Sequence, residues 1–195
     1  MKGAATRELI LDTAVELGSL RGLADLSLGG LASEVEMSKS GLFAHFGSKE
    51  ELQLATVARA WEVFEEEALT PPSGDAGESL AELLERWLSF YERRVFAGGC
   101  FFVIAAVELK SQEGAVRDAL RAAVDRQIVA LESAIIEADQ SGELRLRRDA
   151  GQLAFELHST LTNADALFHL HEDPIVFVRA RATIGDLLEE RRAGT

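Results

Sequence analysis

Residues 27–51 read SLGGLASEVEMSKSGLFAHFGSKEE, and this stretch decides the fold. It contains two short helical patterns separated by a tight break, and a serine precedes each of them. Ser27 is the N-cap candidate of the first helix, and Ser38 is that of the second. The apolar stripe of the first helix is formed by Leu28, Leu31, Ala32 and Val35. In the second helix Leu42 and Phe46 share one face. The pattern predicts a helix-turn-helix.

The outer face of the second helix favours contact with DNA. Between residues 37 and 49 there is no carboxylate, although the chain holds 33 Asp and Glu. Carboxylates at these positions would repel phosphates. A solvated helix pair in an ordinary bundle is the alternative, and the charge gap alone does not exclude it. Together with the caps and the short-short-long order of helices, it predicts a DNA-binding surface. The expected contact residues are Ser27, Ser38, Lys39, Ser40, Phe43, His45 and Lys49.

Residues 6–54 resemble the DNA-binding domain of tetracycline-repressor-type (TetR-family) transcriptional regulators. The matching stretches are RELILDTAVELG, LSLGGLASEVEMSKSGLFAHF and GSKEELQLA, the last of which opens a longer helix with a capping box at Ser48 and Glu51. The resemblance covers about a quarter of the chain. It implies a dimer that binds two DNA half-sites, and a second domain that binds a small molecule.

The chain departs from the family pattern at three places. Ser40 and Gly41 look exchanged relative to the usual order, and Glu36 stands in the turn where the family often has glycine. Phe43 stands where tyrosine is common, so it lacks the hydroxyl that could donate a hydrogen bond to phosphate. Glu36 adds a negative charge near the DNA.

Composition favours an all-α protein. The 195 residues include three prolines and few alternating β-branched runs, and 47% are apolar. We expect about nine helices, with a helix-turn-helix domain at 1–48 and a helical ligand-binding and dimerisation domain at 49–195. No apolar run is long enough to span a membrane, and a single cysteine fits the reducing cytoplasm. Cytoplasmic localisation is therefore expected.

Net charge is the main argument against DNA binding, because it is −13. Residues 1–64 hold six Lys and Arg against nine Asp and Glu, while residues 65–195 hold fourteen against twenty-four. The acidity is thus concentrated in the second part. Phosphate contacts would be local and would include the N-terminal arm with Lys2 and Arg7. Binding is expected to be sensitive to salt.

The rest of the chain shows helical spacing. A fourth helix is expected over about 49–69, followed by a linker at 70–75 and a helix over 80–95. The segment CFFVIAAV at 100–107 is apolar all round, which predicts burial on every side. A long helix should end near Gly142, another should span about 149–171, and Asp173 with Pro174 should start the last.

The last two helices carry broad apolar faces. The resemblance implies that they join two subunits through a four-helix bundle, and the alternative is that they close the core of one subunit. The expected dimer residues are Leu157, Leu161, Phe168, Phe177, Ala180, Ile184 and Leu188.

A ligand site is implied by the family and hinted at by aromatic residues in the second part. The expected residues are Trp87, Phe90, Tyr91, Cys100, Phe101, Ile104, Phe155, His158 and Thr162. His158 and Thr162 belong to a polar stripe with Asp165 and His169, which could line a pocket, lie at the dimer seam or face solvent. By themselves, aromatic residues in such a pattern are more often core than pocket.

Other chemistry finds little support. His169 and His171 diverge on a helix, so no metal site is expected, and Cys100 in an apolar segment is more typical of an inert thiol than of a sensor. No phosphate loop or nucleophile motif occurs, so neither an enzyme nor a cofactor is expected. The sequence predicts a homodimeric repressor released from a palindromic operator by a small molecule. The alternative is a helical small-molecule-binding protein without DNA-binding activity.

Overall fold

The computed structural model describes residues 2–71, 79–146 and 149–191. Within these residues it contains nine α-helices and no β-strand, so the all-α prediction is confirmed. The helices are α1 (Lys2–Arg21), α2 (Leu28–Glu34), α3 (Lys39–Phe43), α4 (Lys49–Phe64), α5 (Leu80–Glu92), α6 (Phe101–Leu109), α7 (Ala115–Ser141), α8 (Ala150–His171) and α9 (Ile175–Glu189). No helix in the described part of the chain is long and apolar enough to cross a membrane.

Two compact units make up the chain. One consists of Met1–Phe64 and Phe96–Val124, and the other of Glu65–Val95 and Asp125–Thr195. The compact units thus divide elsewhere than at the predicted boundary between residues 48 and 49. One reason is that α4 packs along α1. The Arg59 guanidinium on α4 lies 2.7 Å from the Asp12 carboxylate, and this hydrogen bond raises the pKa of Arg59.

Aromatic side chains fill the core of the first unit. The rings of Phe64 and Phe102 meet edge to face at 5.7 Å, and those of Phe101 and Phe102 at 5.6 Å. The loop before α6 reaches the end of α1 closely, because a Cβ at Gly98 would stand 2.0 Å from the Ser19 carbonyl oxygen. The Gly98 N–H donates to the Ser19 hydroxyl at 3.1 Å. Glycine is required here by close backbone approach.

The fourth helix changes its winding at its end. A π-helical turn, Glu65–Leu69, follows α4 directly, and the Thr70 N–H donates to the Glu65 carbonyl oxygen at 2.8 Å. The predicted helix over 49–69 is therefore present, with an irregular last turn. Arg86 on α5 donates to the Ala68 and Leu69 carbonyl oxygens at 3.2 and 2.9 Å, which satisfies groups at a helix end. Most of the predicted linker at 70–75 lies outside the described residues.

The second unit contains α5, α8 and α9. Arg181 on α9 donates to Glu85 and Glu92 of α5, at 2.7 and 2.8 Å, and these hydrogen bonds raise the pKa of Arg181. The predicted helix over 80–95 ends at Glu92, before Arg94 adopts a left-handed conformation with φ 52°.

The helices from α6 onwards agree with the predicted spans, but one prediction about burial differs. Segment 100–107 was expected to be buried on every side, but Val107 is 63% exposed. That prediction is wrong because an unbroken apolar run does not reveal which face a neighbouring helix covers. The helix α7 ends before Gly142, where φ is +84°. The Asp149 and Asp173 carboxylates accept from backbone N–H groups at the starts of α8 and α9.

Candidate functional site

The helix-turn-helix is held by the predicted caps. The Ser27 hydroxyl accepts from the Gly30 N–H at 3.1 Å, and the Ser38 hydroxyl accepts from the Gly41 N–H at 3.1 Å. Both bonds satisfy helix N-termini that would otherwise lack partners. The apolar stripes point inward as expected, with Leu42 and Phe46 fully buried. Only Val35, at the end of the first stripe, is half-buried.

The turn between α2 and α3 depends on one strained residue. Glu36 has φ 53°, in the left-handed region that glycine adopts without a steric penalty. The next residue closes the turn, since the Met37 N–H donates to the Ala32 carbonyl oxygen at 2.8 Å. The glycine common in the family at this position therefore has a conformational reason, and Glu36 occupies the same conformation at a cost.

We expect Glu36→Gly to raise the free energy of unfolding by about 1 kcal/mol, because it relieves the left-handed strain. It should also tighten DNA binding about 2–5-fold at low salt by removing a carboxylate. The matched variant Glu36→Gln removes the charge but keeps the strain, so it should tighten DNA binding alone. Urea unfolding and DNA titration at two salt concentrations measure both effects. A less stable Glu36→Gly variant would contradict this account of the turn.

The predicted contact residues lie on the surface of α3 and beside it. Lys39, Ser40 and Phe43 are exposed, with Phe43 at 51%, and His45 is half-buried. The Lys39 side chain runs over Gly29 of α2, where a Cβ would lie 3.1 Å from its Cε. The Ser40 and Ser38 hydroxyls are 3.1 Å apart. This arrangement presents one cation, two hydroxyls and an aromatic ring on one carboxylate-free face.

The start of α4 is tied to the rest of the first unit. The Ser48 hydroxyl accepts from the Glu51 N–H at 3.0 Å, which confirms the first half of the capping box. The Glu51 carboxylate instead accepts from the Gly47 N–H at 2.9 Å. The Lys49 ammonium donates to the Ala24 carbonyl oxygen. A phosphate contact by Lys49 would therefore share its ammonium with this carbonyl.

The N-terminal helix contacts the helix-turn-helix through Arg7. The Arg7 guanidinium lies 4.6 Å from the centre of the Phe46 ring, a cation–π contact. Arg7 thus holds its charge beside the helix-turn-helix. Sequence spacing gives no signal for this pairing, since the two residues are far apart in the chain. The Lys2 side chain lies outside the described part.

The expected dimer residues pack inside a single subunit. Six of the seven are buried, and the seventh, Phe168, is half-buried with its ring 4.8 Å from that of Phe177. Leu161 is fully buried, and Ile184 and Leu188 are 6% and 8% exposed. Ala180 borders a groove at the surface, and the other six side chains form the core around α8 and α9, because the most apolar stripe of each helix faces its own neighbours.

Other residues of α8 and α9 face outward, and we call their exposed surface the α8–α9 face. It includes Leu170 at 73% exposure and Val178 at 59%. A groove of about 570 Å³ runs along it between the two helices. The groove is lined by Ser159, Thr160, Asn163, Ala164, Leu167, Val176, Arg179, Ala180 and Thr183. Of the expected dimer residues, Ala180 lies among these lining residues. The exposed apolar residues of this face are interspersed with polar ones, so helical spacing gives no signal for them.

The expected ligand residues fall into three groups. Trp87, Phe90 and Tyr91 are buried in α5. In the first unit, Cys100 and Phe101 are buried, Phe101 within the aromatic core, while Ile104 is half-buried. Phe155 is 66% exposed on α8 and so lines no interior site, contrary to expectation. Its place in the apolar-rich α8 sequence did not show that it lies on the outer face.

Among the expected ligand residues, His158 combines an aromatic contact with a buried hydrogen-bonding atom. Its ring stands edge to face with that of Trp87 at 6.0 Å, and its Nε2 is buried without a hydrogen-bond partner among the described residues. Burial lowers the pKa of His158, so its imidazole is neutral at pH 7. The Thr162 hydroxyl donates back to the His158 carbonyl oxygen at 2.8 Å.

The polar stripe of α8 is directed inward at its far end. Asp165 is 4% exposed, and its carboxylate lies 3.5 Å from Nε2 of His169. The interpretation that the stripe faces solvent therefore does not hold for Asp165.

Comparisons with known proteins agree with this geometry. Residues 10–56 match the family model described as bacterial regulatory proteins, tetR family. Residues 76–184 match the model described as the tetracyclin repressor-like C-terminal domain. A comparison with the sequences of curated proteins gives no significant match.

Solved structures share the fold along nearly the whole chain. A TetR transcriptional regulator from Chloroflexus aurantiacus is 26% identical, with a TM-score of 0.85 over 98% of this chain and 99% of that one. A TetR-family regulator from Cytophaga hutchinsonii is 20% identical, with a TM-score of 0.85 over 100% and 98%. A transcriptional regulator from Saccharomonospora viridis, solved with choline, is 21% identical, with a TM-score of 0.70 over 96% of each chain.

The matched models cover both ends of the chain, and the C-terminal one alone spans more than half of it. The exposed, carboxylate-free α3 lies within the N-terminal match. The protein belongs to the tetR family of bacterial regulatory proteins and is a DNA-binding transcriptional regulator of that family.

Proposed function

We propose that the protein is a homodimeric repressor that binds a two-fold symmetric operator and leaves it when a small molecule binds. The exposed face of α3, with Lys39 and no carboxylate between residues 37 and 49, carries the proposal. Such a face can approach phosphates and base edges, whereas the strongly acidic remainder of the chain would be repelled. A regulator of this kind acts in the cytoplasm, beside the chromosome.

A two-fold symmetric dimer fits the same proposal. A helix-turn-helix dimer binds half-sites about 34–36 Å apart, so a two-fold protein matches a palindromic operator. The α8–α9 face offers exposed apolar side chains, Leu170 and Val178 among them, for a second copy. Burying these side chains against a second copy would remove apolar surface from water and so favour association.

The effector would bind in the second unit, beside Trp87 and His158. The Nε2 atom of this neutral imidazole has no hydrogen-bond partner among the described residues, so it can donate one hydrogen bond to a bound molecule or accept one from it. The neighbouring aromatic rings favour a small, mostly apolar ligand, neutral or cationic given the acidity of residues 65–195. The Saccharomonospora viridis protein, which has a similar fold, was solved in complex with choline, and this supports a small cationic effector.

Coupling between effector and DNA would run through the fourth helix. The helix α4 follows shortly after α3 and continues without a break into the π-helical turn Glu65–Leu69. π-helical turns within α-helices are frequently found at functional sites. We expect this helix to have two orientations, one that fits the operator and one that does not. An effector that binds the second orientation more tightly shifts the population towards it and so changes the spacing of the two α3 helices.

Binding to the DNA upstream of the protein's own gene tests the proposal. We expect the full chain to bind that DNA at least about 1,000-fold more tightly than unrelated DNA, with affinity falling steeply as salt rises. Fluorescence anisotropy with labelled duplexes at several salt concentrations measures both quantities. Equal affinity for the two duplexes would contradict a role as a repressor of its own gene region.

The half-buried His158, whose Nε2 atom is buried, should make stability depend on pH. Its pKa is lower in the folded chain than in the unfolded chain, so the unfolded chain binds more protons at low pH. Stability contributed by the neutral ring is complete above the unfolded pKa, about 6.5, and is lost as pH falls below it. The loss is at most about 1.4 kcal/mol per pH unit.

Urea unfolding between pH 7.5 and 5 measures the slope. The variant His158→Gln should show a shallower fall in stability than the parent. The matched control His171→Gln, at an exposed position, should leave the slope unchanged. Equal slopes for the parent and His158→Gln would contradict the assignment of a lowered pKa to His158.

A further inference from the structure

The exposed side of α9 has an uneven distribution of charge. Its first half carries Arg179 beside Ile175 and Val178, and its second half carries Asp186 and Glu189. Small residues separate the halves. Ala182 and Thr183 are exposed between them, and a Cβ at Gly185 would meet no atom within 4 Å. The helix surface is therefore cationic at one end and acidic at the other, and only small side chains lie between the two ends.

The ion pairs that α9 forms within the described part of the subunit lie on the other side of the helix. Arg181, about 200° around the helix from Arg179, is held by Glu85 and Glu92 of α5. Arg179 forms no ion pair with any residue in the described ranges, and neither does Asp186. The two charges face outward from the α8–α9 face, and Arg179 lines the groove there.

The spacing of the two charges fits a two-fold axis. Arg179 and Asp186 are seven residues apart, which is about 10.5 Å along the helix and two turns on one face. If two α9 helices cross antiparallel at the midpoint between them, near Ala182 and Thr183, each Arg179 lies opposite Asp186 of the second copy. Small residues at the crossing let the helices approach to about 8 Å.

A parallel arrangement would be unfavourable. It would place Arg179 opposite Arg179 of the second copy and Asp186 opposite Asp186, two like-charge contacts instead of two attractive ones. Like charges brought together at an interface cost several kcal/mol. The charge pattern thus favours the antiparallel over the parallel orientation of two copies.

We propose that α9 packs antiparallel on α9 of a second copy, with two symmetric Arg179–Asp186 ion pairs flanking a crossing at Ala182 and Thr183. This inference rests on the proposed homodimer and specifies its seam. Residues that set partner choice in helical interfaces commonly act through such flanking charges. The partner recognised in this way is another copy of the same chain.

Charge reversal on the full-length protein tests the pairing. Arg179→Asp alone places two acidic pairs at the seam, and Asp186→Arg alone places two basic pairs there. Each single variant should raise the dimer dissociation constant about 100-fold. The double variant R179D/D186R restores both pairs with reversed sign, so its dissociation constant should return to within about fivefold of the parent value. Arg117→Asp, the same charge change at an exposed position of α7, should have no effect.

Mixing the two single variants gives the sharpest readout. The carboxylate introduced by Arg179→Asp would face the guanidinium introduced by Asp186→Arg, and the unchanged Arg179 and Asp186 would face each other. The mixture should therefore form a heterodimer although neither variant dimerises alone. Native mass spectrometry distinguishes the species by mass, and heterodimer formation also shows that both variants are folded.

The possible outcomes separate this pairing from the homodimer itself. A dimeric parent whose single variants stay dimeric, or whose double variant and mixture stay monomeric, would overturn the pairing but leave the homodimer standing. A monomeric parent would overturn both.

Discussion

Replacing Ile184 and Leu188 together by glutamate is expected to unfold the protein. Both side chains are buried within one subunit, at 6% and 8% exposure. Burying an unpaired carboxylate costs several kcal/mol, and two of them approach the whole stability of a domain, about 5–15 kcal/mol. Circular dichroism should show loss of cooperative thermal unfolding at neutral pH.

The matched control uses two neighbouring positions on the other side of the same helix. Val178→Glu with Ala182→Glu introduces the same charges on the exposed α8–α9 face. This variant should keep its helical content and become a monomer by light scattering, because only the seam between copies is affected. A folded, monomeric Ile184→Glu, Leu188→Glu variant would mean that these residues belong to the seam and not to the core.

Reversing the charge of Lys39 is expected to abolish specific DNA binding. Lys39 is exposed at the start of α3, and a glutamate there replaces an attraction to phosphate or base by a repulsion, once in each subunit. We expect Lys39→Glu to lose at least about 100-fold in operator affinity. Folding should be unaffected, because the side chain is on the surface.

Two other lysines provide the comparison. Lys49→Ala should weaken binding about equally for all sequences and lower the salt slope by about one per subunit, since phosphate contacts carry no sequence information. Lys110→Ala, exposed beyond the end of α6, should change neither. Anisotropy titrations at several salt concentrations separate these cases. Unchanged operator affinity for Lys39→Glu would remove α3 as the reading helix.

Features that depend on local sequence were predictable. Ser27 and Ser38 cap their helices as expected, because a cap needs only a hydroxyl and an N–H three residues later. The buried positions of Leu42 and Phe46 follow from helical spacing in the same way. The departure at Glu36 also marked a real conformational requirement, since the residue has φ 53°.

Features that depend on which neighbour covers a face were not predictable. Helical spacing shows that Ile184 and Leu188 are buried, but it does not distinguish a core from a seam between copies. The same ambiguity misplaced Phe155, which faces outward, and Val107. The π turn Glu65–Leu69 has no sequence signal. The Arg86 side chain that donates to its last carbonyl oxygens comes from a different helix, α5.

A protection footprint on the DNA upstream of the protein's own gene tests the central claim most directly. If α3 reads DNA as a two-fold dimer, the parent protein should protect two symmetry-related half-sites whose centres lie about one helical turn, 10–10.5 base pairs, or a multiple of that, apart. Lys39→Glu should protect neither half-site at the same concentration. Uniform weak protection along the whole duplex, identical for the parent and Lys39→Glu, would contradict the claim.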